Sequence, residues 1–160
     1  MSIMKKLFLA ALFLAINISV FAQSKSVESL YNKYKNDKDF FHMDLGGNFM
    51  NFAKGLNISL DEDNMQTIAK SVERVKFFKL PTGGTAKSDF TALQKGLVKE
   101  RFELMMEVSE KKSGVTMYSK GGNKIQDIII LIAGEGSDYI VLELKGDFDA
   151  KTLAKAGSSY

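Results

Sequence analysis

The chain has 160 residues, 22 basic against 19 acidic side chains, and no cysteine. The absence of cysteine excludes a small disulfide-stapled secreted domain, so a packed core has to hold the fold together. Only two of the basic residues are arginines, which argues against a nucleic-acid-binding surface, because such surfaces need clustered arginine and lysine.

The first 22 residues have the three parts of a secretory signal peptide. A lysine pair opens the segment, Leu7 to Ile16 is an unbroken apolar run, and small or aliphatic side chains precede Gln23. The run is shorter than the about 20 apolar residues that a membrane-spanning helix needs. We therefore expect export, cleavage between Ala22 and Gln23, and no stable membrane insertion afterwards. The remaining residues 23–160 form a single domain with a net charge of +1.

The first half of this domain alternates helical and strand patterns. Apolar residues at helical spacing predict a helix over Val27 to Tyr34. The segment FFHMDL at residues 40–45 predicts a short strand with Phe41, Met43 and Leu45 on one face. Four further elements follow: a helical stripe from Phe49 to Leu56, a helix capped by Asp61 that runs to Val72, a strand from Glu73 to Leu80, and a helix capped by Ser88 with Phe90, Leu93 and Leu97 on its apolar side.

The second half changes to strands joined by short turns. Phe102 to Ser109 alternates between apolar and mostly polar residues and predicts a half-buried strand. Three more strands are predicted from Val115 to Lys120, from Ile125 to Ala133 and from Tyr139 to Lys145, before a last helix that Asp147 or Asp149 caps. The turns are too short for helical crossovers, so the four strands form an antiparallel meander. The expected class is α+β, with the helices packed mainly on one face of an antiparallel sheet.

The chain contains a single histidine, His42, two residues before Asp44. On one strand both side chains project from the same face, and a carboxylate can orient an imidazole for hydrolysis. The alternative is that both residues simply line the solvent-exposed face of the strand. Zinc needs several cysteine or histidine ligands, and the acidic run from residue 61 lacks calcium-loop spacing, so we expect no metal or cofactor.

Methionine and phenylalanine are frequent, with eight and twelve copies, and they suggest an apolar binding groove. The candidate ligand-binding residues are Met105, Met117 and Phe78. Met105 lies with Glu103 and Glu107 on the nominally polar face of its strand. It belongs either to an exposed patch or beneath a covering helix, and core packing is the favoured interpretation.

Three segments carry a resemblance to a known family. They are VESLYNKYKNDKDFFHMDLGG, KERFELMMEVSE and IQDIIILIAGEGSDYIVLELKGDFD, following the signal peptide. With them the chain resembles an uncharacterised family of small exported Bacteroidota proteins, domain of unknown function 4252. The resemblance implies a Gram-negative envelope location, beside envelope-stress regulators, and no established activity. The chain ends soon after its last helix, without a large C-terminal sorting domain, so we expect a periplasmic protein.

The leading functional hypothesis is a non-enzymatic envelope domain that binds a protein or a small ligand. A hydrolase that uses His42 and Asp44 is one alternative, and a carrier of an apolar molecule is another. The three hypotheses differ in what the structure has to contain. The first needs an exposed binding surface, the second a nucleophile near the histidine, and the third an enclosed apolar cavity.

Overall fold

The computed structural model describes residues 24–46, 67 and 69–157. The elements are α1 (Lys25–Tyr34), β1 (Phe41–Gly46), β2 (Val72–Lys79), α2 (Ala86–Lys99), β3 (Glu103–Ser109), β4 (Gly114–Gly121), β5 (Lys124–Ala133), β6 (Tyr139–Asp149) and α3 (Ala150–Gly157). Three predictions lie outside the described residues: the signal peptide with its cleavage site at Ala22 and Gln23, the helical stripe from Phe49 to Leu56, and the Asp61 cap. Of the helix predicted to end at Val72, residues 67 and 69–71 are helical.

The six strands form one antiparallel sheet in the order β1-β2-β6-β5-β4-β3. The predicted α+β class with an antiparallel sheet is confirmed. From β3 to β6 each strand pairs with its successor in the chain, whereas β2 pairs with β6 and brings β1 to the opposite edge. β5 lies between β4 and β6, as its run of isoleucines predicts, since an interior strand is apolar on both faces.

Helices α1 and α2 cover one face of the sheet, which we call the helix face. The buried cluster on this face joins the two helices to the strands, and it consists of Val27, Leu30, Tyr34, Phe40, Phe78, Leu80, Ala86, Phe90, Leu93, Leu97, Phe102, Tyr118, Ile129, Leu131 and Val141. Apolar side chains at three- and four-residue spacing place one stripe of each helix on the sheet. The core of the domain therefore lies between these helices and the sheet.

The first turn of α1 is hydrogen-bonded to Glu100, the residue that follows α2. Both carboxylate oxygens of Glu100 accept hydrogen bonds there, from the backbone N–H groups of Lys25 at 2.6 Å and Ser26 at 3.2 Å, and from the Ser24 hydroxyl at 3.0 Å. Burial alone raises the pKa of this carboxyl, but these hydrogen bonds outweigh it and the pKa lies below its usual range. The contact ties two elements together that are far apart in sequence.

The opposite side of the sheet, which we call the second face, has a smaller cluster at one end. Helix α3 packs there through Ala150 and Leu153 onto Ile125, Ile128 and Phe148. Asp149 caps this helix, since its carboxylate accepts a hydrogen bond from the Thr152 backbone N–H at 2.9 Å. Of the two caps that the sequence offered, Asp147 and Asp149, the structure has Asp149 in this position. Within the described residues, no helix is long and apolar enough to cross a membrane.

The prediction of a half-buried strand over residues 102–109 is wrong. Phe102 precedes the strand and is buried, but β3 is exposed along its whole length. A β-bulge between Leu104 and Met106 also breaks the alternation, because Leu104 pairs with Tyr118 and Met106 pairs with Met117, which point to opposite faces of β4. Leu104 therefore lies on the helix face, while Met106 and Val108 lie on the second face. An insertion of one residue reverses every side chain beyond it.

Candidate functional surface

Two rows of apolar side chains cross the second face from one edge of the sheet to the other. The strand registers align the first row through one residue from each strand: Met43, Phe77, Leu142, Ile130, Met117 and Met106. The second row lies two residues along each strand: Phe41, Lys79, Ile140, Ile132, Val115 and Val108. Of these twelve positions only Lys79 carries a charge, and its amine is paired with Asp138 at 2.9 Å.

The rows stay partly or largely exposed, in contrast with their neighbours on the helix face. Ile129, Leu131 and Val141 on the helix face are 0 to 1% exposed, whereas Ile130, Ile132, Ile140 and Leu142 are partly exposed. Exposure is highest on the two edge strands, where Phe41 of β1 reaches 57% and Val108 of β3 reaches 50%. At these positions the interior strands are therefore fully packed on one side and partly exposed on the other.

The dimensions of this surface follow from sheet geometry. Six strands at about 4.8 Å spacing give a strip about 25–30 Å wide, and two rows of side chains give it a height of roughly 13 Å. The resulting area is about 350 Å². The largest apolar patch on a typical monomer covers about 300–600 Å² and is often functional. The strip, which we call the apolar strip, is the candidate functional surface.

The edge of the sheet formed by β3 is poorly suited to bind another strand. After the bulge, only Met106 to Ser109 follow a regular path, and Glu107 lies in the middle of this short segment. A second β3 strand that pairs antiparallel about Glu107, the middle of this segment, would place two glutamates opposite each other. Bulges and charged residues are devices that keep sheet edges unpaired. The side chains of β3 therefore extend the apolar strip, and its backbone is not the binding element.

The three candidate ligand-binding residues have three different environments. Phe78 is completely buried in the core of the helix face and is structural. Met117 is a member of the apolar strip, where it packs partly against the cluster beneath α3. Met105 occupies the bulge and is 40% exposed, so the favoured interpretation of core packing is wrong for this residue.

His42 and Asp44 do not interact as a catalytic pair. Both oxygens of Asp44 accept hydrogen bonds from the Arg74 guanidinium, at 2.9 and 2.6 Å, and this pairing holds the pKa of the carboxyl below its usual range. His42 is exposed, its ring packs beside Phe40, and its Nδ1 lies 3.3 Å from the Tyr31 hydroxyl. Among the described residues no serine or threonine hydroxyl is hydrogen-bonded to His42, so this geometry does not supply a hydrolytic triad.

A group of charged residues lies on the helix face, near the end of the sheet where α1 begins. Glu143 is paired in register with Lys76, and the adjacent Lys145 lies 3.9 Å from Asp127. Glu143 is 3% exposed, and its Oε2 makes no hydrogen bond to the residues that the structure describes. Burial raises the pKa of Glu143 above its usual range even though Lys145 and Lys76 act in the opposite direction. The sequence contains no local signal for this arrangement, which depends on register.

The described residues contain no group of three or more histidine, aspartate or glutamate side chains that could hold a metal ion. Two surface grooves of the described residues are open to solvent. The groove between α1 and α2 combines charged residues such as Lys33 with the apolar residues Leu30, Ala92 and Leu93, and the Ser26 side chain lies close to Gly96 there. The groove beside the turn between β3 and β4 is lined by charged and polar residues.

The chain belongs to a family that has been defined from sequence. The model of the family described as Domain of unknown function (DUF4252) matches residues 34–156, which include every described strand and the last helix except its final residue. No curated protein and no solved structure matches the chain. The family assignment agrees with the sequence resemblance, and it assigns no activity.

Proposed function

We propose that this protein is an exported, non-enzymatic envelope domain that binds another protein through the apolar strip. The observation that carries the proposal is the alignment of eleven apolar side chains in two rows that remain partly exposed across all six strands. Exposed apolar area of this size is unfavourable in water, and burying it against a partner drives association.

A protein partner fits the strip better than a small molecule. Small-molecule sites are concave and bury most of the ligand, whereas a sheet face covers a ligand from one side. The strip has no charged group free to orient a polar ligand, because Lys79 is paired with Asp138. A carrier of an apolar molecule would need an enclosed chamber, and the described grooves are open to solvent.

Export and periplasmic residence are part of the proposal, and they rest on the sequence of residues 1–22. N-terminal sequencing of the protein recovered from the periplasmic fraction should begin at Gln23. Recovery of the intact chain in the membrane fraction would contradict this part of the proposal.

The binding surface is tested by two matched substitutions on the same strand. Met106 and Leu104 are both exposed apolar residues of β3, but the bulge directs them to opposite faces. Met106→Lys should abolish co-purification of a reproducible envelope partner, because it places a charge in the strip, whereas Leu104→Lys should leave it unchanged. Loss of the partner in both variants, or in neither, would be evidence against the strip as the binding surface.

A further inference from the structure

We infer that the apolar strip receives one amphipathic helix of a partner protein; this inference rests on the proposed function and specifies its partner. The strip is about 25–30 Å by 13 Å. A helix is roughly 10–12 Å across and rises 1.5 Å per residue, so a helix of about 17–20 residues has the same footprint. Such a helix would bury one apolar stripe and leave its polar side in water.

The area of the strip argues against a second copy of this chain. A stable protein–protein interface buries about 800 Å² on each partner. The strip supplies about 350 Å², less than half of that area. Strand pairing at the β3 edge does not add to it, because the bulge and Glu107 oppose strand addition there. A single helix covers only the strip, so its complex belongs to the small, transient class of interfaces.

The structure already contains helix packing on this face. α3 lies at one end of the second face, and Ala150 and Leu153 pack in a cluster that also contains Met117 and Ile130 of the strip. The strip is therefore continuous with a helix-covered surface. On the opposite face, two helices side by side cover the same strands. A partner helix beside α3 would complete a second helical layer on the sheet.

The charge pattern defines which side of the partner helix makes contact. Lys79 is the only charged residue in the two rows and is paired with Asp138. A charged residue on the contacting side of the partner would lose its hydration without gaining an ion pair. The partner's contacting stripe is therefore made of uncharged apolar residues at three- and four-residue spacing.

The first experiment measures whether the strip is accessible in the free protein. Since the chain has no cysteine, single-cysteine variants report accessibility through their rate of reaction with a thiol reagent. Val115 is partly exposed, so Val115→Cys in the strip should react more slowly than exposed Ser88→Cys but much faster than buried Ala86→Cys. If Val115→Cys reacts as slowly as Ala86→Cys, the chain covers the strip itself, and both this inference and the proposed function fail.

The second experiment measures binding of a defined helix. The probe is a net-neutral 18-residue peptide of leucine, glutamate and lysine, with leucine along one side. Val108 and Leu104 have similar exposure but lie on opposite faces. Val108→Lys should weaken peptide binding about tenfold, because it places a charge within the contact, and Leu104→Lys should leave it within twofold.

Three outcomes would overturn the helix, and the first and the third leave the proposed function standing. The first is sedimentation as a dimer that Val108→Lys dissociates, because a second copy then occupies the strip. The second is binding of a long-chain fatty acid, but not of the peptide, with the same sensitivity to Val108→Lys; this result would also contradict the proposed binding of a protein. The third is the absence of Val108-dependent peptide binding by a protein whose Val115→Cys variant reacts rapidly.

Discussion

Replacement of Glu143 by glutamine should stabilise the protein at neutral pH, although it removes a charge that lies near three cations. The carboxylate is almost completely buried, and Oε2 has no hydrogen-bond partner among the described residues. Burial raises its pKa, and the attraction of Lys145, Lys76 and Arg74 does not compensate for this effect. The folded protein therefore disfavours the ionised form relative to the unfolded chain.

The sign of the pH dependence follows from the raised pKa. A carboxyl with a folded-state pKa above its unfolded value contributes fully to stability below the unfolded pKa. This contribution is lost as the pH rises through the folded pKa. At pH 7 the wild type therefore bears the cost of a buried carboxyl group with an oxygen that lacks a hydrogen-bond partner among the described residues. We expect Glu143→Gln to raise the free energy of unfolding at pH 7 by about 1–3 kcal/mol, the cost of one unsatisfied buried polar group.

The assay is urea unfolding of the wild type and Glu143→Gln at pH 7 and at pH 3.5. The advantage of glutamine should be present at pH 7 and should disappear at pH 3.5, where the wild-type carboxyl is protonated in both states. Glu103→Gln is the control, because Glu103 is exposed on β3 and its replacement should change stability by less than about 0.5 kcal/mol.

A destabilisation at pH 7 would refute this reasoning. Removing one member of a well-paired buried ion pair costs about 3–5 kcal/mol. A loss of that size would mean that Lys76 and Lys145 fully compensate the Glu143 carboxylate, so that attraction outweighs burial. The two explanations predict opposite signs for the change in the free energy of unfolding at pH 7. One pair of urea unfolding curves, of the wild type and Glu143→Gln, distinguishes them.

Three further substitutions test the packing of the fold. Gly146→Ala should destabilise the protein by more than about 2 kcal/mol in urea unfolding, since an added Cβ would overlap the Ser71 carbonyl oxygen; an unchanged midpoint would show that the β2–β6 contact is looser than described. Glu100→Ala should lower the free energy of unfolding by about 1 kcal/mol, because it removes the carboxylate that accepts hydrogen bonds from the first turn of α1. Amide hydrogen exchange in that turn at the same rate as in the wild type would contradict this role. Phe78→Ala should lower the free energy of unfolding by about 3–5 kcal/mol, because the side chain is fully buried. Phe41→Ala should change stability little, because Phe41 is exposed. Equal effects of the two substitutions would argue against the faces assigned to them.

Most of the helices and strands could be predicted because each has a short-range signal. The apolar spacing of α1, the isoleucine run of β5 and the Asp149 cap all depend on residues that lie within one element or next to it. The α+β class follows from the order of such signals along the chain. To this extent the sequence alone was sufficient.

The candidate surface could not be predicted in the same way. The alternation in Phe102 to Ser109 indicates a strand with an apolar side, but no pattern within the strand reveals whether another element packs there. The bulge near Met105 depends on pairing with β4, and it reverses the faces of Met106 and Val108. His42 and Asp44 likewise share a strand, but Arg74 on the neighbouring strand binds the carboxylate.

Local periodicity therefore determined where this chain forms helices and strands, because that choice depends on neighbours within a few residues. The tertiary structure decided which apolar side chains are covered. Ile129 and Ile130 are adjacent and chemically identical, yet Ile129 is buried beneath the helices and Ile130 lies in the apolar strip. The difference arises from the arrangement of the helices around the sheet, which involves residues far apart in the sequence.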